Sequence, residues 1–421
     1  MDSVKVLKDI IESGKNIEDA VLEQSDWDVF YHLSETRKNI LSWFDLKQDA
    51  NVLEIGAECG ALTGLLCEKA KHVTAIDPSK EYCETNALRN RFDNLDIITG
   101  KFKDIKFDCA FDYVTMIGAS VKEVKDAVSR IAPLINVEGI VIIAGEGDPD
   151  AYMKLLNKAG LTSIKTYYPK PDYITTLEIS SDAGDSGSFL LFAGKEPVTI
   201  DISFIKFACL RKPEFRIFTA LAKDGVIKSP MTEAASDHIR KLASNRDRVA
   251  DVYNRITPVE CEIRDGSAVF PLISGETLTI EFMDAVFDYK EPLSDFVVTD
   301  SFKAVFGDME IPAGEKAYPV INVDSNLDNF MLSNGKIYCL DYEWIFDFPV
   351  PVRFVKYRLL FYAGIAPEKF AEYGFTDDDV KLFHSMEIAF QQYVSGEDFK
   401  YIVTSKFSRP EPQRKKHFWE R

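Results

Sequence analysis

Val52-Leu53-Glu54-Ile55-Gly56-Ala57-Glu58-Cys59-Gly60-Ala61-Leu62-Thr63 is an apolar run that closes on two glycines and opens into a helical pattern. The spacing predicts a strand, a tight turn and a helix. Gly56 and Gly60 carry no Cβ, so the backbone there can take positive φ and let a ligand come close to the peptide groups. The helix that follows would point its first N–H groups at that ligand. A second strand, Val73-Thr74-Ala75-Ile76-Asp77, follows about 20 residues on and ends in an acid, the position from which a βαβ unit hydrogen-bonds ribose hydroxyls.

A dinucleotide site asks for Gly-x-Gly-x-x-Gly. Here Glu58 stands where the second glycine would pass beneath a pyrophosphate, and its carboxylate would repel a diphosphate. It suits a ligand carrying a sulfonium and an ammonium group, which is the chemistry of S-adenosylmethionine. The stretch resembles the first motif of class I S-adenosylmethionine-dependent methyltransferases. That resemblance implies cofactor contacts from Glu54, Gly56, Ala57, Glu58 and Gly60, with Asp77 as the ribose-binding acid.

A chain of 421 residues is long enough for two domains with separate cores. Its 50 Lys+Arg against 68 Asp+Glu leave a formal charge of −18, a surface that repels polyphosphate, so general nucleic-acid binding is not expected. Seven cysteines, odd in number and without CxxC pairs, argue against a disulfide framework and a zinc cluster and fit a reducing cytoplasm. Met1-Asp2-Ser3-Val4-Lys5 lacks a signal-peptide apolar region, and no apolar run has membrane-spanning length.

Residues 1 to 48 read as helices, ending in Tyr31-His32-Leu33-Ser34-Glu35-Thr36-Arg37 and onward to Trp43. A helix ahead of the first strand can cover a cofactor mouth, with Tyr31, Ser34 and Arg37 touching the methionine end. It can equally be a cap whose aromatics are core. Strand and helix patterns then alternate: Leu95–Gly100, Phe111–Gly118 and Gly139–Ala144 continue the sheet, and Ser163–Tyr168 and Ser188–Ala193 bring the count to seven. After Gly100 the methyltransferases this stretch resembles commonly place an acid that accepts the adenine amino group; Lys101 stands there, so the resemblance leaves adenine recognition to Phe102, with Asp104 as a substitute. Met116 and Ile117, at the end of the fourth strand, would wall the reacting methyl group.

Tyr31-His32-Leu33-Ser34, the glycine stretch, and Tyr167-Tyr168-Pro169-Lys170-Pro171-Asp172-Tyr173 together resemble the methyltransferase half of bacterial methyltransferase/kinase fusions of surface-polysaccharide biosynthesis, O-antigen chain terminators among them. Those proteins usually carry a long insertion after the fifth strand that helps enclose the acceptor. This chain has only Gly145-Glu146-Gly147-Asp148-Pro149-Asp150 before a helix capped by Asp148. Glu146 can orient or deprotonate an acceptor, or be a solvated turn residue.

Past Gly194-Lys195-Glu196-Pro197 a new pattern begins. Phe204–Leu210 and Phe215–Leu221 read as a hairpin, Val226–Pro230 as a third strand, and Thr232 onward as a helix. A strand lysine, Lys228, followed by a helix glutamate, Glu233, is how kinase-like folds hold nucleotide phosphates. Asn322-Val323-Asp324-Ser325-Asn326-Leu327-Asp328-Asn329, then a strand ending in Asp341, has the layout of a kinase catalytic loop. Asp324 would orient the hydroxyl, and Asn329 and Asp341 would ligate magnesium. Asp341-Tyr342-Glu343-Trp344 and Arg211-Lys212-Pro213-Glu214 resemble the kinase-like half of the same fusions, although no glycine-rich loop is present and Asn322 replaces the usual histidine.

The resulting expectation is an α/β chain. Residues 1–196 form a Rossmann-like, seven-stranded methyltransferase domain with an N-terminal helical cap, and residues 197–421 an α+β protein-kinase-like (aminoglycoside phosphotransferase-like) domain. S-adenosylmethionine and Mg-ATP are the implied cofactors, and a glycan or phosphoglycan acceptor and a glycosyltransferase the implied partners. The basic, aromatic end Arg414–Arg421 would reach a membrane surface or be merely solvated. Two alternatives stand beside methyl transfer: an ATP-dependent phosphotransferase with a structural first domain, and a non-catalytic scaffold.

Overall fold

The computed structural model describes residues 3–24 and 26–396, so the basic C-terminal end lies outside the described residues. The chain divides at Phe207/Ala208 into two compact units, later than the sequence boundary at 196. No helix among the described residues is long and apolar enough to cross a membrane.

The first unit opens with helices α1 (Ser3–Glu12), α2 (Ile17–Gln24) and α3 (Trp27–Leu33), a 3-10 turn (Glu35–Lys38) and the short α4 (Asn39–Ser42). Nine strands follow: β1 (Asn51–Ile55), β2 (His72–Asp77), β3 (Leu95–Thr99), β4 (Phe111–Ile117), β5 (Ile135–Glu146), β6 (Ser163–Lys170), β7 (Glu178–Ser180), β8 (Ser188–Gly194) and β9 (Ile202–Phe207). Helices α5 (Thr63–Lys69), α6 (Lys80–Arg89), α7 (Val121–Leu134) and α8 (Asp150–Lys158) cross between the first six.

Their order is β3-β2-β1-β4-β5-β8-β6, extended by β7 and β9. The first five strands are parallel, and β8 runs antiparallel between β5 and β6. The expected seven strands are therefore present, with two short additions. The strand read from the sequence as Phe204–Leu210 runs from Ile202 to Phe207, pairs with β7 and falls within the first unit.

After β1 the chain winds outward to β2 and β3, then returns to place β4 on the other side of β1. A crevice opens where the direction reverses, at the carboxyl ends of β1 and β4. Register fixes what faces it. Glu54 pairs with Thr115 of β4, and partners level with each other on adjacent strands share a face. Beneath the sheet, Leu53, Ile55, Met116, Val124, Val128, Ile131 and Ile143 form one buried cluster.

In the second unit, β10 (Ile217–Ala222) and β11 (Gly225–Pro230) form a hairpin, and β11 pairs with the last of β12 (Ile256–Pro258), β13 (Glu262–Arg264) and β14 (Ser267–Phe270). Helix α9 (Ser236–Val252) follows a 3-10 turn, Glu233–Ala235, capped by the Thr232 hydroxyl. Strands Phe330–Ser333 and Lys336–Cys339 make a second hairpin, and Ile321–Asn322 pairs with Ile345–Phe346. The helices Val352–Tyr362 and Asp377–Ser395 close the unit around an aromatic core that includes Phe302, Phe306, Phe354, Phe383 and Phe390.

Candidate functional site

The chain leaves β1 through a turn with three positive φ angles, 80° at Gly56, 46° at Glu58 and 76° at Gly60. Glu58 is a side-chain-bearing residue in a region that costs about 1 kcal/mol or more. Its N–H donates to Asp77 Oδ2 at 3.0 Å, which helps hold it there. The other Asp77 oxygen accepts the Ser79 N–H at 2.8 Å, so this buried acid is built into the floor of the turn.

Helix α6 clasps the same turn from behind. Asn90 Nδ2 donates to the Gly60 carbonyl and to Asn86 Oδ1; Asn86 Nδ2 donates to Thr63 Oγ1; and Thr63 Oγ1 donates to Glu54 Oε2 at 2.6 Å. This relay aims the Glu54 carboxylate from below. Asn86 and Asn90 carry little signal in the sequence, only two amides four residues apart at the end of a helical pattern.

Arg37, Glu54, Ile55, Gly56, Ala57, Glu58, Ala61, Leu62, Thr115 and Ile117 line a narrow cleft. Two polar atoms of this lining, Arg37 Nη1 and Thr115 Oγ1, are buried without a hydrogen-bond partner. The Arg37 guanidinium lies 4.3 Å from the centre of the Tyr31 ring and 5.9 Å from that of Tyr173. The Tyr31 phenol is pushed well up by burial and by the Glu58 charge. Arg37 thus keeps one unused buried donor among the residues that line the cleft, which suits an anionic ligand group.

A methyltransferase-domain family model matches residues 52–139. The first unit carries a class I S-adenosylmethionine-dependent methyltransferase domain. An uncharacterized methyltransferase of Staphylococcus carnosus is 36% identical over 120 residues, 28% of this chain and 55% of that protein. A probable ribosomal RNA small subunit methyltransferase A of Methanothermobacter thermautotrophicus is 39% identical over 71 residues, 17% of this chain and 26% of that protein. The chain thus spans about half the length of the first relative and about a quarter of the second. The phosphoethanolamine N-methyltransferase 1 of Haemonchus contortus, solved with phosphoethanolamine and S-adenosylhomocysteine, shares 17% identity over 47% of this chain and 52% of that one. Its TM-score of 0.33 carries no argument.

Within the methyltransferase domain the expected residues separate into groups. Glu54, Gly56, Ala57, Glu58 and Ile117 line the cleft, and Gly60 and Asp77 shape its turn. Met116 does not wall it: strand alternation turns Met116 into the core, and Thr115 and Ile117 face the cleft instead. Phe102 is also core, packed against Phe107 with Arg130 over its ring, while Lys101 and Asp104 are exposed. Ser34 caps the 3-10 turn, its hydroxyl 2.8 Å from Thr36 Oγ1 and accepting the Thr36 N–H. Glu146, exposed at the end of β5 and paired through its backbone with Ser188, is not part of the cleft lining.

The two acids of the methyltransferase domain set a pH dependence. Burial lifts the Glu54 carboxyl to about 7, against the pull of the Thr63 hydroxyl. Burial likewise lifts Asp77 to about 7, against the Ser79 N–H. In the unfolded chain such groups titrate near 4, so across about pH 4 to 7 the folded state holds more protons, and ligand-free stability falls as pH rises through that window. A ligand bringing an ammonium group and ribose hydroxyls binds the ionised acids. Thermal unfolding at about pH 5.5 and about pH 8 should therefore show a larger stabilisation by S-adenosylhomocysteine at the higher pH.

The second unit gathers a separate set of charges. Lys228 does not pair with Glu233, which is exposed in the capped 3-10 turn ahead of α9. Its Nζ donates to Asp341 Oδ2 at 2.6 Å and lies 3.6 Å from Glu343 Oε2. Glu343 also takes His238 Nε2 at 2.7 Å and Arg211 Nη1, and these cations and the His238 bond hold its carboxyl well down despite burial. Asp324 accepts from Asn326 Nδ2 at 2.7 Å, Arg358 Nη2 at 3.0 Å and Asn329 Nδ2 at 3.0 Å. Burial raises the Asp324 carboxyl, and Arg358 opposes that rise. Asp341 Oδ1 is buried with no partner, an atom that fits a cation or a donor. Among the described residues no group of three or more His, Cys, Asp or Glu side chains is arranged to hold a metal ion.

Proposed function

We propose that the chain transfers a methyl group from S-adenosylmethionine to an oxygen of a glycan or phosphorylated glycan. The supporting observation is the cleft at the Gly56–Gly60 turn. It presents a buried cation with an unused donor, Arg37 Nη1, on the same lining as the Glu54 carboxylate. These fit opposite ends of an amino acid: Arg37 would take the carboxylate, Glu54 and the Gly56 backbone the ammonium, and Asp77 the ribose hydroxyls. The bound donor supplies an activated methyl group. The residues around it hold the reactants in line and exclude water, which is where the rate gain of such a displacement comes from.

The glycan acceptor is supported by the resemblance of the Tyr31, Gly56 and Tyr173 segments to the polysaccharide-associated fusions. A cytoplasmic location and a glycosyltransferase partner belong to the same reading. Incubation of the whole chain with a methyl-labelled donor and bacterial surface glycans, with and without terminal phosphate, tests it. Label is expected in an alkali-stable methyl ether or a methyl phosphate, and no label in any glycan fraction would refute the acceptor class.

A second reading concerns residues 208–396. The Lys228–Asp341 bond, the Asp324–Asn329 bond and the partnerless Asp341 Oδ1 support a kinase-like site for Mg-ATP. Lys228 would face the phosphates and Asp341 the metal, with Asn329 beside it. Asp324 would take the acceptor proton.

A further inference from the structure

Glu343 is the buried centre of the second unit's charge cluster. Three cation-capable side chains from three separate segments meet it: Arg211 ahead of β10, Lys228 from β11 and His238 from α9. Trp344 supports two of them from the side, with the His238 ring 5.1 Å and the Arg211 guanidinium 5.7 Å from its ring centres. The helix carboxylate expected to hold Lys228 is absent from this arrangement. In its place an acid on the chain segment after Asp341 reaches the lysine and the helix together.

Lys228 is shared between two acids of unequal capacity. Both oxygens of Glu343 have cationic neighbours, whereas Asp341 has one oxygen on Lys228 and the other buried without a partner. A divalent cation on Asp341 Oδ1 would repel the ammonium held by the other oxygen of the same carboxylate and loosen it there. Glu343, 3.6 Å from the same Nζ, is placed to keep that ammonium from leaving.

We infer that Glu343 is the positioning residue of a nucleoside-polyphosphate site, holding Lys228 and Arg211 for the phosphates once a divalent cation occupies Asp341, and coupling them to α9 through His238. The inference rests on the kinase-like reading and adds a residue to it. Arg211, whose side chain is 23% exposed against 8% for Lys228, is the more accessible of the two cations that Glu343 holds. Loss of the Glu343 charge leaves Lys228 wholly to Asp341, so the metal must then compete with a fully committed lysine. Loss of His238 does the reverse, because Glu343 gains capacity for Lys228.

Calorimetric titration of the full chain with ATP over a magnesium series tests this. Glu343→Gln should weaken ATP binding about tenfold and raise the magnesium midpoint. His238→Leu should lower that midpoint. A purely structural role for either residue would not move the midpoint in opposite directions. The chemical denaturation profile of each variant, compared with wild type, serves as the control that the second unit is folded, and His238→Leu carries the test alone if Glu343→Gln does not fold. ATP binding with wild-type magnesium midpoints in both variants, or midpoints shifted the same way, overturns the inference and leaves the kinase-like reading standing. No ATP binding by the wild type at any magnesium concentration overturns both.

Discussion

Gly60→Ala is expected to abolish methyl-donor binding and to destabilise the first unit by about 3 kcal/mol, read by chemical denaturation and by calorimetry with S-adenosylhomocysteine. Two costs add. The backbone φ of 76° is a region that L side chains rarely adopt, and a Cβ there would sit 2.3 Å from both Asn86 Oδ1 and Asn90 Nδ2. Those amides cannot retreat cheaply, because they form the relay that ends on Glu54. Gly56→Ala provides the contrast. Its φ is 80°, yet nothing lies within 4 Å of the added Cβ, so only the backbone term of about 1 kcal/mol applies. Equal losses at the two positions would mean that α6 does not brace the turn.

Arg37→Met should reduce affinity for S-adenosylhomocysteine about a hundredfold, the scale of losing a charge-assisted hydrogen bond in a buried site. Affinity for methylthioadenosine, which lacks the amino-acid end, should be unchanged. The ligand-free chain should lose the stacking on the Tyr31 ring and the attraction of the Glu58 charge, a cost to stability that is common to both ligands. A loss of affinity confined to the ligand with the amino-acid end separates a ligand contact from a packing residue. A parallel loss of methylthioadenosine affinity would place Arg37 at the wrong end of the donor.

The parts of this fold that were legible in the sequence are those that depend on neighbouring residues. Positive φ at Gly56 and Gly60, the acid ending β2 and the seven main strands of the first sheet follow from local geometry and period, whereas β7 does not. Strand alternation was also available, and applied to Phe111–Ile117 it puts Thr115 and Ile117, rather than Met116, on the cleft face. What stayed hidden depends on packing between distant segments. The Asn90–Asn86–Thr63–Glu54 relay exists only once α6 lies against the turn. Lys228 and Glu233 are close in sequence, which suggests a pair, whereas the acids that meet Lys228 come from Asp341 and Glu343 far along the chain. Likewise Phe204–Leu210 reads plainly as a strand, but its pairing with β7, a three-residue strand with no sequence signal of its own, comes from packing.

The central claim is that the turn between β1 and α5 holds the amino-acid and ribose ends of a sulfonium methyl donor. A crystal structure of the whole chain grown with saturating S-adenosylhomocysteine tests it most directly. The account predicts the ligand carboxylate on Arg37 Nη1, its ammonium beside Glu54 and its ribose on Asp77. A cleft left empty under those conditions, or the ligand bound away from the Gly56–Gly60 turn, would contradict it.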